Sequence, residues 1–285
     1  MYADLGHDGW TLKSMRISDS ETSAGRDTVS RVALVLEAVS EHPLGIGLTD
    51  LTAATGMKKA TVYRIAERLI AHHLLQQTVH GYQLGLRFFE WSRNVPVTRI
   101  LRTAALPLMA QLASRTGLTV ELAVYEGGDM VVVERIPGHV VDTSSLPDRR
   151  PAAHTSTGLA ILAFSSPKVV NGALESADAA GRPVAPAILE SELAVVRKNG
   201  VARDTGRYDR RWGAAAAPVV ATAYLGTENF PACAALCVIG PANTPHVDRA
   251  TPLVRDAARQ LSHELSTIPS HPDEEWPVPV VPRET

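Results

Sequence analysis

Residues 47–69 read GLTDLTAATGMKKATVYRIAERL, and this run restricts the fold more than any other. Gly56 stands between two helical patterns, and glycine ends a helix at little cost because it reaches the left-handed region. Before it, Thr49 is a good N-cap, with Leu51 and Ala54 facing inward. After it, Val62, Ile65, Ala66, Leu69 and Ile70 recur at helical spacing and predict a buried stripe. Off that stripe lie Lys58, Lys59, Thr61, Tyr63, Arg64, Glu67 and Arg68. Four cations thus face one carboxylate on a chain whose formal charge is −2.

On an isolated helix such a pattern reads as a solvated face. Its neighbours change that reading. Upstream, TVSRVALVLEAVSEHP places Val29, Val32, Ala33, Leu36 and Val39 at helical spacing, and Pro43 follows the helix end. Downstream, LLQQTVHGYQLG reads as two short strands around a turn near His80-Gly81. Helix, helix, tight turn, helix and hairpin make a winged helix-turn-helix over residues 26–93. That motif lays its last helix in the DNA major groove. The candidate DNA contacts are Lys58, Lys59, Thr61, Tyr63, Arg64 and Arg68 on the helix, with Gln76 and His80 on the wing. Lysine and arginine grip phosphate, and arginine also bonds guanine bidentately.

The chain has 285 residues, enough for two domains with separate cores. Net charge near zero gives no global pointer to nucleic acid, so a basic site must be local. The two cysteines, Cys233 and Cys237, sit four apart in the strand-like run ACAALCVIG. That separation is roughly 13 Å along a strand, too far for a disulfide, and a reduced cytoplasmic protein follows. No apolar stretch reaches the roughly 18 residues of a membrane span. The N-terminus lacks a basic start followed by an apolar block, so neither a membrane nor a secretory route is expected. Residues 1–25 read as a flexible tail. Residues 269–285 contain five prolines and read as an extended or disordered one.

Between the domains, residues 94–117 predict a linker helix with Pro107 inside it and Gly117 at its end. Residues 118–268 alternate strands and helices. TVELAVYE and MVVVERIP form a hairpin across GGD, while AAAAPVV and ACAALCVIG read as strands. TSTGLAILAF, SELAVVRKNG and TPLVRDAARQLSHELSTI read as helices. The expected fold class is α+β with a largely antiparallel sheet.

These motifs, in this order and spacing, resemble the isocitrate lyase regulator (IclR) family of bacterial transcription factors over about residues 26–268. GLTDLTAATGMKKATVYRIAERLIAHHLL with GYQLG resembles the family's DNA-binding signature. AALPLMAQLASRTGLTVELAVYEGGDMVVVERI resembles its linker helix and the start of its effector domain. RRPAAHTSTGLAILA, AVVRKNGVARDTGRY and AALCVIGPAN resemble the walls of its ligand pocket. The resemblance implies a winged helix on a palindromic double-stranded operator, a GAF-like effector domain for a small molecule, and a homodimer or homotetramer. It implies no cofactor.

Departures from the family pattern are informative. The family's Ser-Thr pair at the recognition helix start is Ala60-Thr61 here. Gly-Lys becomes Gly158-Leu159. Two acidic residues become Gly206-Arg207, although Asp204 matches an upstream aspartate. A common cysteine becomes Ala214, two hydroxyls become Cys237 and Ile239, and Trp212 replaces a smaller aliphatic residue. Thr155, Ser156, Thr157, Asp204 and Arg207 remain as polar candidates. The expected pocket has few polar groups and suits an organic or aromatic acid larger than pyruvate, with Arg207 meeting its carboxylate.

Two other classes are weighed. His154, Ser156 and Asp204 could form a hydrolytic triad, but no nucleophile elbow surrounds Ser156. No phosphate-binding loop, zinc motif or dinucleotide fingerprint is present in the sequence, so neither enzyme nor metal protein is expected. A sensing module acting through a protein partner is the other alternative.

Overall fold

The computed structural model describes residues 27–92, 95–220 and 232–267. Both predicted tails lie outside the described residues, as does the Cys233 side chain. The chain divides into two compact units at Val95/Pro96.

In the first unit, α1 (Thr28–Ser40) opens on Asp27, whose carboxylate accepts a hydrogen bond from the Ser30 amide. Helix α2 spans Leu48–Thr55 and α3 spans Lys59–Ala71. Strands β1 (Leu75–Thr78) and β2 (Gly81–Leu84) then pair antiparallel with Leu75 opposite Leu84. A short helix, α4 (Arg87–Ser92), follows. Val35, Leu51, Val62, Ala66, Leu75 and Tyr82 form the buried centre of this unit. The predicted stripe of α3 is the one observed: Val62, Ala66 and Leu69 are buried, with Ile65 and Ile70 packed beside them.

Three local expectations need correction. Val29 is exposed, because the buried stripe of α1 starts a turn later and runs through Val32, Val35, Leu36 and Val39. Helix α2 begins at Leu48 with Gly47 as its N-cap, so Thr49 lies inside the first turn. Ala54 is exposed, and Leu48 takes its expected place against the core. Gly56 does end α2 in the left-handed region, with φ +64°.

The wing has its own requirement for glycine. Ile46 bridges Tyr82 through two backbone bonds of 2.9 and 3.0 Å. Gly81 is squeezed against this bridge at φ +108°, and a Cβ there would stand 2.2 Å from the Ile46 carbonyl oxygen. Any side chain at position 81 would push the wing off the body of the unit.

The second unit is a three-layer structure. Its described strands form one antiparallel sheet in the order β5-β4-β3-β8-β7-β6. They are β3 (Thr119–Glu126), β4 (Asp129–Ile136), β5 (Arg149–Pro151), β6 (Ala202–Thr205), β7 (Trp212–Val220) and β8 (Ala232–Pro241). Helices α5 (Pro96–Thr116) and α9 (Pro245–Ser266) cover one face, and α6 (Ser156–Leu162), α7 (Pro167–Ala179) and α8 (Pro186–Asn199) lie on the other. Alternate residues divide between the two cores, as the period of a strand dictates. Ala215, Ala217, Leu236 and Val238 pack under α5 and α9. Ala214, Ala216, Ala235 and Cys237 pack under α6 to α8.

The run of four alanines in β7 favours helix by intrinsic propensity. Tertiary context overrides that preference. The small side chains let α6 approach the strand on one face and α9 on the other. A bulge interrupts the β3–β4 ladder: Leu122 pairs Glu134 while Ala123 pairs Val132, leaving Val133 without a partner.

The helix expected as a linker is a core element of this unit. Leu101, Ala105, Leu108, Met109 and Leu112 of α5 are buried with α9 and the sheet. Gly117 ends it at φ +70°. Helix α7 and the short edge strands β5 and β6 had not been foreseen.

Candidate DNA-binding face and effector cavity

Helix α3 presents its polar face to solvent. Lys58 is the N-cap residue, and Lys58, Lys59, Arg64 and Arg68 are all exposed. None of the four makes an ion pair among the described residues. Tyr63 is 48% exposed on the same helix, and Thr61 is half-buried in the first turn. Burying Val62, Ala66 and Leu69 fixes the rotation of the helix, so the cations must point away from the core. On the wing, Val79 and His80 occupy the exposed tip. Gln76 is exposed and donates its side-chain amide to Gln83 at 3.3 Å, and Gln83 in turn donates to the Pro43 carbonyl. This second bond ties the wing back to the loop after α1.

The second unit holds a cavity on the sheet face covered by α6. Its free space is about 30 Å³. Eight of the sequence-predicted residues line it: Thr155, Ser156, Thr157, Asp204, Trp212, Ala214, Cys237 and Ile239. They come from α6 and its cap, β6, β7 and β8. Antiparallel pairing explains their meeting, since Asp204 stands opposite Ala214, and Ala214 opposite Ile239.

Two predicted residues lie elsewhere. Gly158 does not line the cavity. A Cβ on it would meet the Ala152 carbonyl oxygen at 1.9 Å, so it serves the packing of α6 on the preceding 3-10 turn, Ala152–His154. Arg207 was expected to meet a ligand's carboxylate. Its guanidinium instead pairs with Glu192 and donates to the Ala153 carbonyl at 2.7 Å. That side chain braces α8 against the turn before α6.

The cavity also contains charges missed in the sequence. Glu121 of β3 and Arg150 of β5 both line it, with side chains only 1% and 5% exposed. Glu121 accepts from Arg150 at 2.5 Å and from Arg135 of β4 at 2.8 Å. Glu121 hides in the apolar strand TVELAVYE, and its period-two position was the available signal. Beside the expected apolar surface, the cavity thus carries a buried ion pair that the sequence reading did not include. Such charges persist only when each is paired, because burying an isolated charge costs many kcal/mol.

Burial pushes the Asp204 carboxyl upward, and backbone N–H groups of Arg207 and Gly206, at 2.9 and 2.8 Å, pull partly against it. Burial likewise drives the Cys237 thiol far up, so it stays protonated beside Ser156 Oγ at 3.6 Å. His154 is pushed down by burial and donates to the Arg182 carbonyl at 2.5 Å. The imagined triad is not assembled: His154, Ser156 and Asp204 each bond a different partner.

A winged helix-turn-helix with an exposed cationic helix, followed by an α+β unit holding a cavity, fits a ligand-sensing regulator of transcription. Comparison with known proteins gives the family. The model described as "Bacterial transcriptional regulator IclR C-terminal" matches residues 97–263, and that described as "IclR helix-turn-helix domain" matches residues 28–79. The chain belongs to the IclR family of DNA-binding bacterial transcriptional regulators. The HTH-type transcriptional regulator XynR of Escherichia coli is 26% identical over 204 residues, covering 67% of this chain and 79% of XynR. TtgV of Pseudomonas putida is 27% identical over 194 residues, covering 64% and 72%. Among solved structures, an IclR homolog from Microbacterium hydrocarbonoxydans complexed with 4-hydroxybenzoate superposes with TM-score 0.69 at 23% identity, covering 84% of this chain and 99% of that one. The Thermotoga maritima IclR gives 0.63 at 20%, covering 84% and 98%. At these identities the structural likenesses speak for the fold. No helix among the described residues is long and apolar enough to cross a membrane.

Proposed function

We propose that this regulator reads a two-fold symmetric operator as a homodimer or homotetramer in the cytoplasm, and that an organic acid with an apolar body, bound in the second unit, controls it. The unpaired cations of α3 carry the DNA half of this reading. Exposed, unneutralised charge on a helix with a fixed rotation is what phosphate contact requires. Lys58, Lys59, Thr61 and Arg68 would hold the backbone, Tyr63 and Arg64 would reach base edges, and Gln76 and His80 of the wing would touch the flanking strand.

The cavity carries the other half, and from its free space of about 30 Å³ it must widen as the ligand enters. Leu146, Ala214 and Ile239 supply an apolar wall, and Thr155, Ser156, Thr157, Asp204, Trp212 and Cys237 supply convergent polar atoms. The bound 4-hydroxybenzoate of the Microbacterium protein favours the same ligand class here. The ligand must bind two arrangements of the DNA-binding units with different affinity, or nothing shifts. No step of this reading is catalytic.

Selection of bound fragments from genomic DNA with purified protein tests it. The expected result is one enriched palindromic sequence whose affinity falls steeply with salt and changes when organic acids are added. Absence of any enriched sequence refutes the operator reading.

A further inference from the structure

We infer that two buried N–H groups in the cavity, Arg150 Nε and Trp212 Nε1, form the anchor for the carboxylate of the effector. This rests on the reading of the cavity as the effector site.

Both atoms are buried without a hydrogen-bond partner among the described residues, and both side chains line the same cavity. A buried donor without an acceptor is rare in a native structure and destabilising, so two of them around one cavity require an explanation. A ligand that brings acceptor oxygens supplies it. The rest of the Arg150 side chain is already fixed. One terminal nitrogen bonds Glu121, and its guanidinium lies 5.9 Å from the Tyr208 ring. Its Nε is therefore held in place before any ligand arrives, which lowers the entropy lost on binding.

Charge selects an anion over a neutral acceptor. Among the described residues, Arg150 is the one cationic side chain lining the cavity, and it shares the Glu121 carboxylate with the partly exposed Arg135, which also pairs with Asp148 at 3.1 Å. Asp204 and Asp209 also line the cavity; burial raises the first carboxyl, and the bond from Arg211 holds the second low. An incoming carboxylate would accept from a guanidinium N–H, and such charge-assisted bonds are the stronger kind. The role foreseen for Arg207 thus passes to Arg150, within the segment RRPAAHTSTGLAILA.

Calorimetric titration of the full-length protein with acid and amide pairs tests this: benzoate with benzamide, 4-hydroxybenzoate with 4-hydroxybenzamide, butyrate with butyramide. Wild type should prefer the acid of at least one pair by roughly tenfold or more. Trp212→Phe keeps a ring in the wall and removes the N–H, and should cut the acid affinity severalfold and the amide affinity less, lowering the acid-to-amide ratio. The double variant Glu121→Gln with Arg150→Gln removes both charges together, so no lone buried ion remains, and should bring the acid-to-amide ratio near one. Circular dichroism checks that each variant is folded. A wild-type ratio preserved in either folded variant overturns the role of that donor. Amides that bind as tightly as acids overturn the anchor and leave the effector cavity standing. No binding from any pair overturns both.

Discussion

The two charged regions of this protein obey opposite rules. On α3, four cations stand in solvent with no ion-pair partner among the described residues. In the cavity, Glu121 and Arg150 are almost wholly buried and directly paired. Water solvates the first set cheaply, so it can wait for phosphate. The second set has lost its water and must be neutralised from within. A surface built for a polyanion can leave its charge free, whereas a cavity for a small ligand can spare only single N–H groups.

The largest test of that contrast is Glu121→Ala. It strands two arginines, one of them buried, and should lower the stability of the second unit by about 3–5 kcal/mol. Chemical denaturation followed by domain-specific probes checks this, and the first unit should unfold at its usual midpoint. Next in size is Gly81→Ala. Left-handed strain and the contact with Ile46 should cost the first unit roughly 2 kcal/mol and weaken operator binding with it. The α3 cations should behave in the reverse manner. Lys59→Ala and Arg64→Ala should each weaken DNA about tenfold and lower the salt slope by about one, with the unfolding midpoint unchanged. Unaltered affinity in both would break the assignment of this helix to DNA.

The smallest effect is expected at Asp204. Burial holds its folded carboxyl above the ordinary aspartate range, so the folded state holds its proton more tightly than the unfolded chain. This group therefore favours folding below that ordinary range and gives up the contribution as pH rises through its folded value. Asp204→Asn keeps an oxygen for the Gly206 and Arg207 amides and removes the buried charge. It should gain about 1 kcal/mol near neutrality and nothing at pH 3, read from thermal midpoints against pH.

Much of the first unit was legible because its signals are local. Period, a glycine stop and a hairpin turn settle Val62, Gly56 and Gly81 within a few residues of each. The errors there, Thr49 and Ala54, are shifts of a helix start by one or two positions. The second unit depends on pairings across long sequence distance. Eight residues that the resemblance gives to the pocket line one cavity, while Gly158 and Arg207 do not. Glu121, Arg135 and Arg150 meet only because β3, β4 and β5 are adjacent, and nothing near any one of them in sequence announces the others. The same holds for α5: as a string it looked like a connector, and only the facing α9 and sheet make it core.

The bulge at Val133 has a consequence of its own. Strands alternate their faces like an odd-even count, and one uncounted residue changes the parity of everything beyond it. Here the miscount sends Arg135 to the face of Glu121 and the cavity, and Glu134 to the opposite face, where Arg102 of α5 holds it at 2.6 Å. Were Val133 taken into a regular ladder, it would pair Leu122, and Glu134 would stand opposite Glu121. The acid would then arrive beside Glu121 and the base beneath α5. The wiring of the sensor floor is thus encoded less by which charges the strand carries than by whether their count is odd or even.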